Sequence, residues 1–532
     1  MEQAPPNTSA PSGNVPANDG EVTVNREGEV KLLAGPEGLQ QVLKSPVLEK
    51  AVIQPRSRAL VTTYYDTASG ALQKAGIALR VRRNYGRFVM TVKFPPNLAT
   101  GLFGRDEIAV RLPGEAPDID LFGEEIAGRI RAVTGGQPIE AAFTTNFRRR
   151  TGSIDTGRAT IEMAIDAGTL DASGRQQPIQ ELELELKTGD EAALCDLAAD
   201  LAGACRMRLG SLSKGERGSL LASGAPASGS KGTVPPLPAG IVVDDFISAV
   251  IDVCLKQFTA NWAAVEDGEN PEGVHQARVS LRRLRAMLGL FAKKLPATEF
   301  QVFRAEAKQL ASTMGPARDW DVFIDMVESG PLKLYARDTS FEALLAAAKA
   351  RRDNAYIQAR RVVTDPSTSV FVLNLRAFAA RRGWRNALSG ADLPILTQPA
   401  RSYASATLAR MHKRALKAGR HLADLSIDER HELRIDLKKI RYAAEFFGPL
   451  FGGANGRKRY TRAAGGVQDA LGAFNDEAVA HGLLETLEGD CGPAGARAAG
   501  IVLGWCGRGR VDADSVLQPA WDRFAEAKKF WD

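Results

Sequence analysis

The stretch Glu27-Gly28-Glu29-Val30-Lys31 decides how the first half of the chain is interpreted. Side chains alternate along a β-strand, so a strand here places both carboxylates and the lysine on one face. Such a face cannot form a hydrophobic core, but it can line a wet cavity, where carboxylates hold a hard cation and the lysine meets an anion. A solvated strand face is the simpler interpretation of these five residues taken alone.

Charged residues at alternate positions recur as far as residue 186, opposite apolar residues that need a core. The segments are Arg80 and Arg82, Thr91 and Lys93, Arg105 and Glu107, Arg148 and Arg150, Glu162 and Asp166, and Glu181, Glu183 and Glu185. If the sheet closes into a barrel, these charged faces converge on its lumen. Arginine and lysine bind phosphate oxygens, and glutamates bind Mg²⁺ or Mn²⁺, so a polyphosphate chain suits such a lumen.

The composition bounds the class of protein. The chain has 532 residues, of which 44% are hydrophobic and 25% charged, which predicts a soluble globular protein of two to four domains. Five scattered cysteines without a Cys-x-x-Cys pair argue against a zinc site or a disulfide framework and favour the cytoplasm. No apolar run is long enough for a membrane span, and residues 1–20 read as a disordered tail without the features of a signal peptide.

A linker divides the chain. Residues 223–240 are rich in Pro, Gly, Ser and Ala, and they separate alternating strands from helical periodicity. We therefore expect one domain over residues 21–222 and a second over 241–532. Residues 1–232 carry 27 basic and 28 acidic side chains, whereas the remainder carries 42 basic and 35 acidic ones, which suggests an anionic partner for the second half.

The order and spacing of the charged motifs resemble the CYTH family, the triphosphate tunnel metalloenzymes, over residues 21–222. The motifs are Glu27-x-Glu29-x-Lys31, Tyr64-Tyr65-Asp66-Thr67, Gly76-x-x-Leu79-Arg80-x-Arg82, Thr91-Val92-Lys93, Gly101-Leu102-x-x-Arg105-x-Glu107, Phe147-Arg148-x-Arg150, Glu181-x-Glu183-x-Glu185 and Ser213-Lys214. The resemblance implies an eight-stranded antiparallel β-barrel whose tunnel binds triphosphate with a divalent metal.

The resemblance also implies roles for individual residues. The implied metal ligands are Glu27, Glu29, Glu183 and Glu185, with Glu107 and Glu181 close candidates. The implied triphosphate contacts are Lys31, Arg80, Arg82, Lys93, Arg105, Arg148, Arg150 and Lys214, with Asp166 orienting basic side chains. Glu27, Glu29 and Lys31 are the implied catalytic residues. Ala109 stands where some members have a second acidic residue, which leaves the number of metals open.

The helical half contains an internal repeat. His275-x-x-Arg278-x-x-x-Arg282-x-x-Arg285 places four basic residues on one helix face, and His431-x-x-Arg434-x-x-x-Lys438-x-x-Arg441 repeats the arrangement. A Gly-x-x-x-Asp turn follows each of them, at Gly315 and at Gly472. The economical interpretation is an all-α bundle with a pseudo-twofold repeat. Because the histidines lie among cations, a metal site there is not expected.

This half resembles the CHAD domain, over residues 241–530, which implies binding of inorganic polyphosphate. The implied contacts are both repeats of the basic motif together with Lys413, Arg414 and Lys417 on a neighbouring helical segment. Arg318 differs from its counterpart Asn475, so the two turns need not act alike. Nucleic acid is the competing anion, but the interleaved aromatic residues of single-strand binders and a duplex-reading motif are not apparent.

Together these observations predict an inorganic triphosphatase that depends on Mg²⁺ or Mn²⁺. It would hydrolyse triphosphate to diphosphate and phosphate and bind polyphosphate through its helical half, in the cytoplasm or on polyphosphate granules. A thiamine triphosphatase, an adenylate cyclase and an inactive polyphosphate-binding scaffold are the alternatives. All five histidines follow the linker, so a histidine base within the tunnel domain is excluded.

Overall fold

The computed structural model of the protein describes residues 23–84, 86–95, 104–390 and 392–532, without the side chains of 23–27, 36, 84, 104–106, 474 and 475. The predicted tail over residues 1–20 lies outside this range. Contacts divide the chain into two units. Unit 1 comprises residues 1–227 and 365–380, and unit 2 comprises residues 228–364 and 381–532.

Unit 1 is built on an antiparallel sheet. Its strands are β1 (Thr23–Leu33), β2 (Val52–Ile53), β3 (Arg58–Asp66), β4 (Ala78–Asn84), β5 (Arg87–Lys93), β6 (Gly104–Leu112), β7 (Glu140–Asp155), β8 (Ala159–Ala172), β9 (Arg175–Gly189) and β10 (Arg208–Leu209). The strand order is β10-β1-β6-β5-β4-β3-β7-β8-β9, with β2 on β7. In addition, β1 pairs with β6 along its first half and with β9 along its second half.

Six α-helices of the described chain belong to the same unit as this sheet. In unit 1 they are α1 (Pro36–Leu43), α2 (Ala71–Lys74), α3 (Glu124–Thr134), α4 (Glu191–Ala204), α5 (Lys214–Ser223) and a later helix, α13 (Pro366–Ala380). The alternation in β4 turns Leu79 and Val81 toward Ile130 of α3 in one buried cluster, which leaves Arg80 and Arg82 on the other face. Helix α4 packs behind β1 and β9.

Unit 2 is helical. Its helices are α6 (Val243–Ala260), α7 (Trp262–Asp267), α8 (Pro271–Phe291), α9 (Glu299–Thr313), α10 (Gly315–Ser329), α11 (Pro331–Leu334), α12 (Ser340–Thr364), α14 (Leu393–Thr397), α15 (Ala400–Ala418), α16 (Ile427–Phe447) and α17 (Ala454–Ala525). Helix α17 consists of two segments that meet at Gly492, where φ is 56°. Along the described part of the chain, no helix combines the length and apolarity needed to cross a membrane. The prediction of a β-domain followed by a helical region is confirmed.

The residues that open unit 2 are held on its helices. Asn261 is buried; its Oδ1 accepts from the Ser230 backbone N–H at 2.8 Å, and its Nδ2 donates to the Ser230 carbonyl at 2.9 Å. The buried Arg283 donates to the Gly232 carbonyl at 3.1 Å. Although the composition of residues 223–240 is typical of a flexible linker, the backbone near Ser230 is therefore fixed to unit 2.

Candidate active site and anion-binding surface

Strand register brings the charged residues of unit 1 onto one face. Directly opposed residues in an antiparallel pair point to the same side of a sheet. The opposed pairs include Lys31 with Glu183, Asp166 with Glu181 and with Arg149, Thr62 with Thr145 and with Arg82, Arg80 with Thr91, and Lys93 with Glu107. We call this side of the sheet the charged face. It links residues that are widely separated in sequence.

Strand β7 contributes Arg149 to the charged face, contrary to the prediction. Arg149 donates to both oxygens of Asp166, at 2.7 and 2.6 Å, and also contacts Glu183. Arg148 and Arg150 are adjacent to it in the strand, so they lie on the opposite face. Arg148 is exposed and donates to Ser57 Oγ at 3.0 Å. The structure therefore brings Arg149, and neither Arg148 nor Arg150, together with the other cations of the charged face.

Lys214 is the centre of a buried ion cluster. Its Nζ lies 2.7 Å from Asp166 Oδ2 and 2.8 Å from Glu183 Oε1, and it also contacts Glu181. Burial alone lowers the pKa of Lys214, but the three carboxylates raise it above its usual value. Burial opposes ionisation of Glu183, yet Lys214, Arg149 and Lys31 hold the pKa of Glu183 well below its usual range. The shifts of Lys214 and Glu183 therefore both favour the charged form of the side chain.

Helix α5 holds Lys214 in this position. Ser213 and Glu216 form a capping box, with the Glu216 backbone N–H donating to Ser213 Oγ at 3.2 Å, so the helix begins at Lys214. One turn later Arg217 donates to Glu181 Oε2 at 3.1 Å and to the Pro178 carbonyl at 2.6 Å. The two oxygens of Glu181 are thus held by two cations of the same helix.

Two glycines let α5 approach the sheet closely. A Cβ on Gly218 would lie 2.0 Å from the Phe143 ring, and one on Gly215 would lie 3.2 Å from the Tyr64 ring. These aromatic rings stack on each other with centroids 4.5 Å apart. They belong to an apolar cluster on the same side of the sheet as the charged residues, and Leu221 of α5 packs against this cluster. Helix α5 therefore covers one end of the charged face.

A group of cations lies beside these acidic residues. Arg80 donates to Glu107 Oε1 at 3.0 Å, and Lys93 contacts the same carboxylate. Arg82 donates to Thr62 Oγ1 at 3.3 Å. Burial, Arg80 and Arg149 lower the pKa of Arg82 to about 10. Such crowding of positive charge is costly unless an anion shares the site.

Three carboxylates of neighbouring strands form a row along the charged face. Glu185 of β9 is opposite Glu29 of β1 on one side and Glu162 of β8 on the other. Burial raises the pKa of Glu185, and Glu162 and Glu29 raise it further, although Lys187 contacts Glu185 at 2.6 Å. We call Glu29, Glu185 and Glu162 the acidic row. Like charges placed directly opposite one another destabilise a sheet. Lys187 offsets part of this repulsion, because it also lies 3.6 Å from Glu162.

Among the described residues, a different acidic group is the most compact. Carboxylate oxygens of Asp166, Glu181 and Glu183 all lie within 4.8 Å of one another. Lys214 contacts all three of these side chains, so a metal ion would have to displace its ammonium group. Of the other predicted ligands, Glu107 pairs with cations and Glu29 lies 3.3 Å from Lys31. The side chains of Glu27 and Arg105 lie outside the described residues.

In unit 2, the two basic helices pack together. Helix α16 contacts α8. Burial, Arg434, Arg282 and, more weakly, Arg441 lower the pKa of Lys438 to about 8, against an opposing effect of Asp476. The Nε atoms of Arg282 and Arg434 are buried, with no hydrogen-bond partner among the described residues. The predicted basic surface therefore brings side chains of both repeats close together.

Both repeats place an arginine over a glycine beside an aspartate. Arg278 donates to the Gly315 carbonyl at 2.7 Å and lies 3.6 Å from Asp319. At the second repeat, a Cβ on Gly472 would lie 3.6 Å from Arg434 Nη2 and 3.9 Å from Asp476 Oδ2. Arg318 and His275 lie close to the Arg278 site. Burial and the charge of Arg318 lower the pKa of His275. In both basic motifs the arginine therefore lies beside the glycine.

The remaining predicted contacts are spread around this surface. Arg285 faces Arg304 and Arg282, which together with burial lower its pKa. Arg441 donates to Gln468 Oε1 at 2.9 Å. His431, Lys413 and Lys417 lie at positions that are exposed or partly exposed. Arg414 is paired with Asp436 at 2.8 Å.

Several residues of the site were missed from sequence. Arg149 was missed because Phe143, Thr145 and Phe147 precede it on the same face and look like a core stripe. The acidic residue Asp166, which lies opposite Arg149 in the neighbouring strand, is the feature of the sequence that could have indicated a cation here. Arg217, one turn after Lys214, and Arg111, two positions beyond Ala109 on the charged face, were also missed. Arg111 Nε is buried without a hydrogen-bond partner in the part of the chain that is described.

The chain is similar to several known proteins. An inorganic triphosphatase of Haemophilus influenzae is 29% identical over 201 residues, which cover 37% of this chain and 55% of that protein. The chain thus spans about half the length of that relative. An uncharacterised protein of Mycobacterium tuberculosis is 26% identical over 450 residues, covering 80% of this chain and 82% of that protein. The crystal structure of the CHAD domain from the plant Ricinus communis aligns with a TM-score of 0.49 and 25% identity, covering 57% of this chain and 98% of that one.

Two family models match different parts of the sequence. The CYTH domain model matches residues 25–219, which include every strand that contributes to the charged face. The CHAD domain model matches residues 249–485, which include both basic helices. The chain is therefore a CYTH domain over residues 25–219 joined to a CHAD domain over residues 249–485.

Proposed function

We propose that the CYTH domain hydrolyses inorganic triphosphate to diphosphate and phosphate. The observation that carries this proposal is the cation group of Arg80, Arg82 and Arg149, which lies on the same face as the acidic row. A substrate with several adjacent phosphates neutralises the arginines. The relative from Haemophilus influenzae, named as an inorganic triphosphatase, supports the choice of substrate.

The pairing of β1 with both β6 and β9 supports a closed tunnel. Starting from β1, the ladder runs through β6, β5, β4, β3, β7, β8 and β9 and returns to β1. Eight strands are enough to close a barrel whose interior holds side chains and one small ligand. The charged face becomes the lumen of this barrel, and α5 covers one of its ends.

Arginine and lysine side chains bind and align the substrate in this tunnel. The forked guanidinium groups of Arg80, Arg82 and Arg149 suit bidentate contact with phosphate oxygens. Lys31, Lys93 and Lys214 supply point charges nearby, each already held by a carboxylate. Because these partners fix the side chains before substrate binds, charge that develops during phosphoryl transfer meets dipoles and cations already in place.

The acidic row fits a divalent metal ion. Mg²⁺ and Mn²⁺ prefer carboxylate oxygens, and Glu29, Glu185 and Glu162 supply them from adjacent strands. Burial, followed by Glu162 and Glu29, raises the pKa of Glu185, and a divalent ion would compete with Lys187 for this carboxylate. Such an ion supplies neutralisation of phosphate charge and acidification of a water molecule. Asp166, Glu181 and Glu183 fit this role less well, because the lysine that bridges them, Lys214, is buried, whereas Lys187 beside the acidic row is partly exposed.

Water is the nucleophile in this reaction. It adds to the terminal phosphorus, the bond to the bridging oxygen breaks, and diphosphate leaves while the proton of the water passes to solvent or to a lumen carboxylate. The carboxylates of the acidic row orient the water and accept its proton in this proposal. Arg149 and Lys31 stabilise the negative charge on the phosphate groups.

The CHAD domain binds inorganic polyphosphate in this proposal. Arg282 and Arg434 keep buried Nε atoms without hydrogen-bond partners in the described chain, and Lys438 has a lowered pKa, so the surface is incomplete without an anion. The matched Arg278–Gly315–Asp319 and Arg434–Gly472–Asp476 groups support a pseudo-twofold relationship between the repeats. An extended anion would then contact both repeats.

A substrate panel tests the proposed function. Phosphate release from the full chain is measured with Mg²⁺ or Mn²⁺ on triphosphate, ATP, thiamine triphosphate and long-chain polyphosphate. Triphosphate is expected to give the highest kcat/KM. Higher turnover of ATP or thiamine triphosphate, or turnover of none of the four, would overturn it. Retention of long-chain polyphosphate at low ionic strength, weakening with added salt, tests the helical surface separately.

A further inference from the structure

Helix α13 is part of unit 1, although it is distant in sequence from the rest of that unit. Residues 365–380 group by their contacts with residues 1–227, and they interrupt the sequence of unit 2. The CHAD domain model spans this segment without a break, from residue 249 to residue 485. Sequence similarity alone would therefore assign α13 to the helical domain.

The contacts of α13 within unit 1 are extensive and specific. Ala377 packs with Ala192 and Cys195 of α4 in one buried cluster. Buried Arg376 donates to both oxygens of Glu191, at 2.9 and 2.7 Å, in the first turn of α4. Phe371, Leu375 and Phe378 are buried as well. Small residues on both helices let them pack closely, and the paired bonds fix their relative rotation.

A short series of hydrogen bonds leads from α13 to a residue of the charged face. Ser369 is fully buried, and its Oγ accepts from the Leu209 backbone N–H at 2.8 Å. Leu209 lies opposite Leu32 in the pairing of β10 with β1. The next residue, Gly210, donates its backbone N–H to the Lys31 carbonyl at 2.8 Å. The backbone of β10 and of Gly210 is therefore hydrogen-bonded to α13 and to β1.

Gly210 also constrains the side chain of Lys31. A Cβ at this position would lie 3.0 Å from Lys31 Cγ and 3.1 Å from Lys31 Cδ. The lysine stem thus lies directly over the end of β10 before its ammonium group reaches Glu29 and Glu183, at 3.3 and 3.4 Å. A shift of β10 moves the surface on which this stem rests.

We propose that α13 is a positioning element for the triphosphate site and acts on Lys31 through Ser369 and β10. Ser369 and Arg376 are its positioning residues. They hold β10 and α4, and neither lies on the charged face. This proposal rests on the proposed triphosphatase function for its kinetic consequence but not for its structural one. It implies that a segment within the CHAD sequence sets the alignment of substrate in the CYTH domain.

The test uses the full chain with Ser369→Ala and Arg376→Met. Because a small misplacement of a binding group costs one to two orders of magnitude, each substitution is expected to raise KM for triphosphate about tenfold. Each should also speed hydrogen exchange at the amides of Leu209 and Gly210 about tenfold or more. Arg376→Lys keeps the charge but loses the paired bonds, and it offers a milder variant if Arg376→Met does not fold.

The controls separate positioning from general loss of stability. Ser367→Ala alters an exposed serine of the same helix, and Arg158→Met removes an exposed ion pair with Asp190 at the start of α4. Both should leave KM and amide exchange unchanged. The pair Glu191→Arg with Arg376→Glu should recover part of the loss seen in either single variant. Unchanged exchange at Leu209 and Gly210 in Ser369→Ala would overturn the proposal, even if the wild-type protein hydrolyses no triphosphate. Faster exchange with an unchanged KM would refute the link to Lys31.

Discussion

Lys214 Nζ lies 2.7 Å from Asp166 Oδ2, and both side chains are buried, so each is the counterion that keeps the other in the fold. Removing one partner of a buried ion pair leaves an uncompensated charge. We therefore expect Lys214→Met to lower the free energy of unfolding of unit 1 by roughly 3–5 kcal/mol. Urea denaturation at neutral pH measures this change.

Lys187→Met is the matched control for Lys214. Its ammonium contacts Glu185 and Glu162, but it is more exposed, with 36% of its side chain accessible. The expected loss is less than about 1 kcal/mol. Equal effects of the two substitutions would contradict the counterion role of Lys214.

Arg149 and Arg148 make a sharper pair, because they are adjacent and point in opposite directions. Arg149→Met should lower kcat/KM for triphosphate about 100-fold or more, since it removes a cation that is placed before charge develops. Arg148→Met should leave kcat/KM within about threefold of wild type, because it removes only a contact with Ser57. Steady-state phosphate release checks both values, and the reverse order of effects would contradict the assignment of Arg149 to the charged face.

Metal affinity should depend on the acidic row more than on the buried cluster. Glu29→Gln and Glu185→Gln each remove a charged oxygen donor and should weaken Mn²⁺ binding by about tenfold or more. Calorimetric titration of the substrate-free protein with Mn²⁺ measures this affinity independently of turnover. Glu181→Gln is the comparison, because both of its oxygens are already held by Lys214 and Arg217. It should alter stability more than Mn²⁺ affinity, and the opposite outcome would place the metal at Glu181.

Polyphosphate binding should weaken as the pH rises through about 8. The pKa of Lys438 is lowered to about 8 in the free protein, and a bound anion favours the protonated form. Between about pH 7 and about pH 9 the affinity should therefore fall about tenfold from this group alone. In the Lys438→Arg variant the guanidinium would stay charged over this range, so the pH profile should be flatter. Titration with fluorescent polyphosphate measures both profiles, and identical slopes would exclude Lys438 as the titrating group.

Much of unit 1 could be predicted from sequence, because alternation reports directly which residues share a strand face. Leu79 and Val81 against Arg80 and Arg82 are the clearest example, since one pair is buried under α3 and the other lies on the charged face. Alternation fails where both faces are partly apolar. In β7 the stripe that ends at Arg149 is apolar because α5 packs on the charged side of the sheet, and only tertiary structure reveals that helix.

Tertiary structure also decides which carboxylates remain free to bind a metal. Glu181, Glu183 and Glu185 form one uniform stripe in the sequence. In the fold the first is saturated by α5, the second bridges Arg149 and Lys214, and the third faces Glu29 and Glu162. Spacing predicts that they share a face but cannot assign their partners, because those come from other strands and from a helix beyond β10.

The close packing of α5 on the aromatic rings of Phe143 and Tyr64 bears on where a long phosphate chain would be cut. In the proposed tunnel, this helix makes a blind end, so a long phosphate polymer cannot thread through and must enter by its terminus. The enzyme would then shorten chains from their ends rather than cut them internally. Gel analysis of a long polymer during digestion distinguishes a slowly receding band from rapid fragmentation. Gly218→Ala, which pushes a methyl group against the Phe143 ring, is the substitution that should unseat the helix and open this end.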